Sequence, residues 1–225
     1  ATGQSSYPGA PEVAGDGIDQ NCDAVDDCYQ DNDGDTYHGT VVTGTTLDCT
    51  GTGESSTSTD CDDTTGAIDI YLGATEVVGD GIDQNCDNVD DCYQDLDDDN
   101  FGSTTTVTAS TLDCDTEANV SNVSTDCNDT DDATGQSSYP GAPEVAGDGI
   151  DQNCDNVDDC YQDLDDDNFG STTTVTASTL DCDSEANVSN VSTDCNDTDD
   201  ATGQSSYPGA PEVAGDGIDQ NCDAV

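Results

Sequence analysis

A nine-residue stretch, Gly147-Asp148-Gly149-Ile150-Asp151-Gln152-Asn153-Cys154-Asp155, recurs letter for letter at residues 15–23, 79–87 and 215–223. A chain that repeats one short segment at regular intervals folds as an array of like modules rather than around one large core. In every copy an oxygen-bearing side chain falls on each second residue, after a Gly-Asp-Gly turn. Alternate oxygens around a tight loop are how a backbone wraps a hard cation, above all calcium. The copies place this pattern at Asp19, Asn21 and Asp23, at Asp83, Asn85 and Asp87, at Asp151, Asn153 and Asp155, and at Asp219, Asn221 and Asp223.

The rest of the chain cannot fold on apolar burial. It carries 53 acidic residues, no lysine or arginine and one histidine, for a formal charge of -53. Leu, Ile, Val and Phe make up about 14% of it, under the roughly 20% below which a strongly charged chain is disordered. Two other sources of order are on offer, the thirteen cysteines and the regularly placed carboxylates. Bound cations also relieve self-repulsion. This charge excludes nucleic acid and anionic membranes as partners, no apolar stretch is long enough to span a membrane, and the cysteine density points to an oxidising, extracellular setting, secreted or at a cell surface.

Taking Cys-Tyr-Gln-Asp as the start of a unit divides the chain into a partial repeat at 1–27, repeats at 28–91 and 92–159, and a third, truncated repeat at 160–225 that is expected to continue. The second and third differ over their shared length only at Thr116 versus Ser184 and Asn156 versus Ala224. Residues 201–225 repeat 1–25 without a change, as a window on a longer array would. Residues 103–112 (STTTVTASTL) and 118–125 read together as a small hairpin. With no 3.6-residue apolar period, little or no helix is expected. The fold class is therefore a small all-β or irregular repeat array, held by calcium loops and disulfides.

Two more acidic loops accompany the nonapeptide in each unit. The first has Asp31, Asp33 and Asp35, with counterparts Asp95, Asp97, Asp99 and Asp163, Asp165, Asp167. This is the 1, 3, 5 carboxylate pattern of an EF-hand-type loop, although Gly at position 6 and Glu at position 12 are missing. The second has Asp60 and Asp62, Asp126 and Asn128, and Asp194 and Asn196. Glu144, with its equivalents Glu12, Glu76 and Glu212, stands between the second and third loops and is placed to complete either shell. A merely solvated acidic surface would not keep the alternate-residue phase in every unit.

Ordered as Tyr-Gln-Asp-x-Asp-Gly-Asp-x-Tyr, Thr-Asp-Cys-Asp-Asp, Pro-Gly-Ala-x-Glu-Val and Asp-Gly-Ile-Asp-Gln-Asn-Cys-Asp, these segments resemble the MopE-like metal-binding repeat of secreted prokaryotic surface proteins. The loops are also similar to the type 3 calcium repeats of thrombospondin. The resemblance implies extracellular, calcium-rich, disulfide-stapled modules, with copper binding in one branch. The chain departs from the family in lacking a cysteine shortly after the Glu-Val pair, where it has residues such as Ala146 and Gly79. With that partner missing, Cys154 is expected to reach Cys160, six residues on. The same logic pairs Cys22 with Cys28, Cys49 with Cys61, Cys86 with Cys92, Cys114 with Cys127 and Cys182 with Cys195, leaving Cys222 over. A pairing of Cys92 with Cys114 across the first loop stays open.

A soft-metal site is not indicated, since no Cys-x-x-Cys occurs and His38 is the only histidine. Nor does an enzyme emerge: there is no Ser/His/Asp order or nucleotide-type glycine loop, and no carboxylate pair stands out among so many. Asn119, Asn122, Asn187 and Asn190 stand in glycosylation sequons, as do the metal-loop residues Asn128 and Asn196. The function expected is a calcium-stabilised structural segment of a fibre, stalk or adhesin, with further repeats or copies of the chain as partners and glycans as decoration. The alternatives are a module that sequesters metal or binds a carbohydrate or protein, and a disordered acidic spacer.

Overall fold

Each repeat is built on its Cys-Tyr-Gln segment. In the computed structural model, which describes residues 6–224, these segments form the strands β1 (Asp27–Gln30), β4 (Asp91–Gln94) and β7 (Asp159–Gln162). Each is the middle strand of a three-stranded sheet. The flanking strands are β2 (Thr40–Thr43) and β3 (Glu54–Ser55), β5 (Thr106–Thr108) and β6 (Val120–Ser121), and β8 (Thr174–Thr176) and β9 (Val188–Ser189), in the orders β2-β1-β3, β5-β4-β6 and β8-β7-β9. The first pairing in each sheet is antiparallel and sets Cys28 opposite Val42, Cys92 opposite Val107 and Cys160 opposite Val175.

The hairpin expected from residues 103–112 and 118–125 is thus corrected. The two segments do contribute strands, but to opposite edges of β4. The Thr- and Val-rich segments supply β propensity, whereas Cys92 supplies the residue that must be buried. Its side chain is fully enclosed and packs with Ala109, Cys114 and Val120. Cys160, Ala177, Cys182 and Val188 form the same cluster in the third repeat. A core of one disulfide, one alanine and one valine is very small, consistent with the composition.

Six disulfides link Cys28 to Cys49, Cys61 to Cys86, Cys92 to Cys114, Cys127 to Cys154, Cys160 to Cys182 and Cys195 to Cys222. Among the described residues Cys22 is free and exposed. None of the short-range pairs expected from spacing forms, and Cys222 rather than Cys22 is bonded; the Cys92–Cys114 link across the first loop is the one realised. The reason is direction. Cys160 points into the sheet's buried cluster toward Cys182, while Cys154 lies with positive φ in the third loop, beside the second loop that carries Cys127. Each link closes 21 to 27 residues, a loop length worth about 3 to 4 kcal/mol of unfolded-state entropy. Six such links mark an extracellular type of protein.

Beyond the strands, the regular structure is limited to single 3-10 turns such as Cys114–Thr116 and Gly135–Ser137, and no α-helix occurs among the described residues. No helix is long and apolar enough to cross a membrane. The chain forms two compact units, one running to residue 93 with 106–122 added, the other made of 94–105 and 123 onward. The first contains the sheets of repeats 28–91 and 92–159. The second contains the sheet of the last repeat and the acidic loops of the last two.

Candidate metal centre

The first acidic loop turns by having its leading aspartate grip the backbone ahead of it. Asp95 accepts the N–H groups of Asp98 at 2.7 Å and Asn100 at 3.0 Å. Asp163 does the same for Asp166 and Asn168, and Asp31 for Gly34 and Thr36. The loop needs two left-handed residues, at positions 4 and 6. Asp98 (φ 65°) and Asn100 (φ 76°) provide them, Asn and Asp being the non-glycine residues that tolerate this region best. That is why a loop without Gly at position 6 still closes.

Once the loop is closed, its carboxylates converge. Asp95, Asp97 and Asp99 each offer an oxygen within 4.8 Å of the others. Asp99 uses one oxygen to hold the Phe101 N–H at 2.8 Å. The second loop then folds over the first. Asp126 spends one oxygen on its own turn, accepting from Asn128 N–H, and Asp129 accepts a very short hydrogen bond from Leu96 N–H. Both oxygens of Asp97, together with Asp99 Oδ2 and Asp126 Oδ2, are left buried without any hydrogen-bond partner. The two loops read from sequence as separate therefore make one site, and Asp126 comes from the second loop where an EF-hand would use its position-12 glutamate.

The same construction appears three times. In the last repeat, Asp165, Asp167 and Asp194 carry the unpartnered oxygens. In the first they belong to Asp33, Asp35 and Asp60, with Asp63 fixing the loops by accepting from Asn32 N–H at 2.6 Å and Thr40 N–H at 2.7 Å. Asp97 and Asp165 are only 5% and 4% exposed. Burial, and then the charges of Asp99 and Asp126, pushes the Asp97 carboxyl up to about 7. Asp165 rises to about 7 for the same reasons, with Asp167 and Asp194 as the neighbours. Asp99, Asp126, Asp167 and Asp194 are also raised, chiefly by burial.

A glycine seals the site. An added Cβ on Gly135 would lie 2.1 Å from Thr130 O and 2.4 Å from Asp97 Oδ2, so only glycine lets the backbone come this close. Gln136 Nε2 donates to Asp97 O at 3.2 Å, and Phe101 stacks on Tyr139 with ring centroids 5.5 Å apart. Phe169 with Tyr207, and Tyr37 with Tyr71, repeat this stack.

Other residues expected in metal loops are placed differently. Asp62, Asn128 and Asn196 each hold the hydroxyl of Thr64, Thr130 or Thr198. In the third loop, Asp151 accepts from Asp155 and Asn156 N–H, Asn153 from Asp155 N–H and Asp155 from Val157 N–H. Asp19, Asn21, Asp23, Asp83, Asn85, Asp87, Asp219 and Asn221 make equivalent turn bonds. Asp223 lies in the same turn, donating its N–H to Asn221 Oδ1. None of these third-loop oxygens is among the buried, unpartnered ones. Glu144 joins this third loop, not the second, through Asn153 N–H. Asp63, Asp129 and Asp197 are not singled out by alternation; their signal is the Asp three residues after the start of each second loop.

The donors in the cluster are all carboxylate oxygens, and their unpartnered state suits a hard cation. Cys127 and Cys154, which lie near Asp126, are tied in a disulfide and offer no thiolate. The family model Cu-binding MopE, titled "Putative metal-binding motif", matches residues 3–27, 60–91, 126–159 and 194–225, more than half of the chain. The chain belongs to this family. No curated protein and no solved structure matches it. Each MopE match within residues 60–225 begins at a second loop and runs through the third, so the first loops, with Asp97 and Asp165, lie outside the matched segments.

Proposed function

We propose that the chain is an extracellular structural repeat protein, secreted or held at a cell surface, in which calcium bound between the first and second loops makes each module rigid. It would serve as a segment of a fibre, stalk or adhesin, joined to further repeats or to copies of itself, and it is not an enzyme. The observation that carries this reading is the set of buried, unpartnered carboxylate oxygens in all three repeats of a chain with no lysine or arginine to neutralise them. Buried anions must be paired, protonated or bound to metal. All-oxygen sites favour calcium, magnesium or manganese, whereas copper favours nitrogen and sulfur donors. Calcium tolerates the irregular shell that five aspartates from two loops provide, while magnesium demands a near-ideal octahedron. Affinities typical of extracellular modules, on the order of 0.1 to 1 mM, are expected.

Glycans at Asn119, Asn122 and Asn187, all exposed, fit a surface role. The test is circular dichroism and negative-stain imaging of one sample before and after chelation, disulfides intact. Loss of order and of assemblies, reversed by calcium and poorly by magnesium, is expected. No change on chelation would overturn the calcium scaffold.

A further inference from the structure

A second pair of carboxylates is buried away from the Asp97 cluster. Glu144 accepts the Asn153 N–H at 2.7 Å through Oε1, and Asp158 accepts the Gly149 N–H at 2.8 Å through Oδ2. Their other oxygens, Glu144 Oε2 and Asp158 Oδ1, are buried and have no partner. Glu76 with Asp90, and Glu12 with Asp26, repeat this arrangement down to the same backbone donors, Asn85 and Gly81 in one and Asn21 and Gly17 in the other. Asp26, Asp90 and Asp158 are 0% exposed.

The two members of a pair grip the same loop: Glu144 and Asp158 hold backbone N–H groups four residues apart, and the Gly147 N–H donates to Asp159 O at 2.8 Å, as Gly79 does to Asp91 and Gly15 to Asp27. Of the charges around Glu144, that of Asp158 is felt most strongly, followed by Asp151 and Asp155; around Glu76 the order is Asp90, Asp83 and Asp87. Each carboxylate is fixed by a backbone N–H on one oxygen and presents the other. Basic side chains cannot neutralise all three pairs, because the chain has no lysine or arginine and a single histidine, His38.

The pairs also sit where one repeat meets the next. Glu76 belongs to the third loop of the 28–91 repeat. Asp90 is built into the following sheet, where its N–H donates to Thr111 O, its carbonyl accepts from Ala109 N–H, and Cys114 Sγ lies 3.9 Å from its Oδ2. Beside it, an added Cβ on Gly79 would fall 2.7 Å from Asn122 O. Gly147 against Asn190 O, at 2.3 Å, and Gly15 against Ser56 O, at 2.1 Å, are tighter still.

We propose that Glu12 with Asp26, Glu76 with Asp90, and Glu144 with Asp158 each hold a second divalent cation, which clasps the third loop of one repeat to the sheet of the next. This rests on the reading of the chain as a hard-cation scaffold and extends it from stiff modules to stiff junctions. Two fixed carboxylates, each with a buried unpartnered oxygen, form an anionic seat for calcium, with water and carbonyls completing the shell.

The decisive measurement is an amide NMR titration of the full, disulfide-intact chain with calcium chloride at physiological ionic strength. Saturable shifts are expected in two groups: Gly81, Asn85, Gly149 and Asn153 for the junction, and Asp98, Asn100, Asp166 and Asn168 for the cluster. Shifts confined to the cluster group would overturn the junction site and leave the calcium scaffold standing. Shifts confined to the junction group would support the junction site and overturn the cluster. Equilibrium dialysis gives an independent count. The combined Glu12→Gln, Glu76→Gln and Glu144→Gln variant should lose three saturably bound calcium ions per chain, one for each pair, and keep the cluster shifts. A wild-type count equal to that of this variant would mean the pairs share protons rather than a metal, and would overturn the proposal.

Discussion

The first and third acidic loops share an alternate-oxygen pattern but use it differently. Asp151, Asn153 and Asp155 turn their oxygens on their own backbone, and the turn stays partly open to water. Asp95, Asp97 and Asp99 begin with the same kind of turn, yet the second loop and Gly135 close over them and leave four carboxylate oxygens unpartnered. Alternation is thus a rule for bending a chain. Burial by a second segment is what makes a bend into a cation seat, because only there is the charge denied water.

The strongest way to break this contrast is to neutralise the enclosed aspartates. The combined Asp33→Asn, Asp97→Asn and Asp165→Asn variant should lose the stabilisation that calcium gives the parent. At a calcium concentration ten times Kd this is about 1.4 kcal/mol per site, or roughly 4 kcal/mol for three independent sites. Thermal melts with and without calcium check it. An undiminished calcium response would put the stabilising ion elsewhere.

A smaller effect, present without metal and lost with it, is expected from pH. Asp97 and Asp165 are pushed from 3.8 up to about 7 in the metal-free fold, which therefore binds more protons than the unfolded chain between those values. Stability of the chelated protein should fall as pH rises from 4 to 7 and level off above 7. With saturating calcium this slope should vanish above about pH 5, because the ion keeps the folded aspartates deprotonated where the unfolded chain is deprotonated too. Melts across this pH range should show stability falling in chelator and nearly level in calcium; the same fall in both would remove Asp97 and Asp165 from the ion's shell.

The smallest effect should come from the open loop. Asp151→Ala removes two turn hydrogen bonds and should cost about 1 to 2 kcal/mol, with shifts at the Asp98 and Asn100 amides on calcium addition unchanged. Loss of those shifts would mean that the loops are not independent.

What is local in this fold is legible in the sequence. The loop-turning aspartates and the absence of α-helix follow from spacing over ten residues or fewer, and the repeats from plain identity of segments. What is missed joins distant segments. Asp129 reaches Leu96 across 33 residues, and Asp158 shows no alternation with its partner Glu144. The cysteines fail for the same reason. Proximity in sequence suggests Cys154 with Cys160, but Cys160 lies on a middle strand whose buried face turns toward Cys182. Even the central role of Cys-Tyr-Gln is invisible in a four-residue strand flanked by acids. It shows only once two Thr-rich neighbours are seen to need a common partner.

The disulfide pattern also governs how the chain behaves when pulled. Tension that enters the backbone at Cys127 is carried straight across to Cys154, and again from Cys160 to Cys182 and from Cys195 to Cys222. The residues inside those rings are bypassed and cannot lengthen. Only the segments between rings remain extensible, such as 154 to 160, which at about 3.5 Å per residue give roughly 20 Å when drawn out fully. Stretched to its limit, the molecule would behave as a tether of short elastic links between inextensible rings, with most of its contour held in reserve until a reductant reaches it.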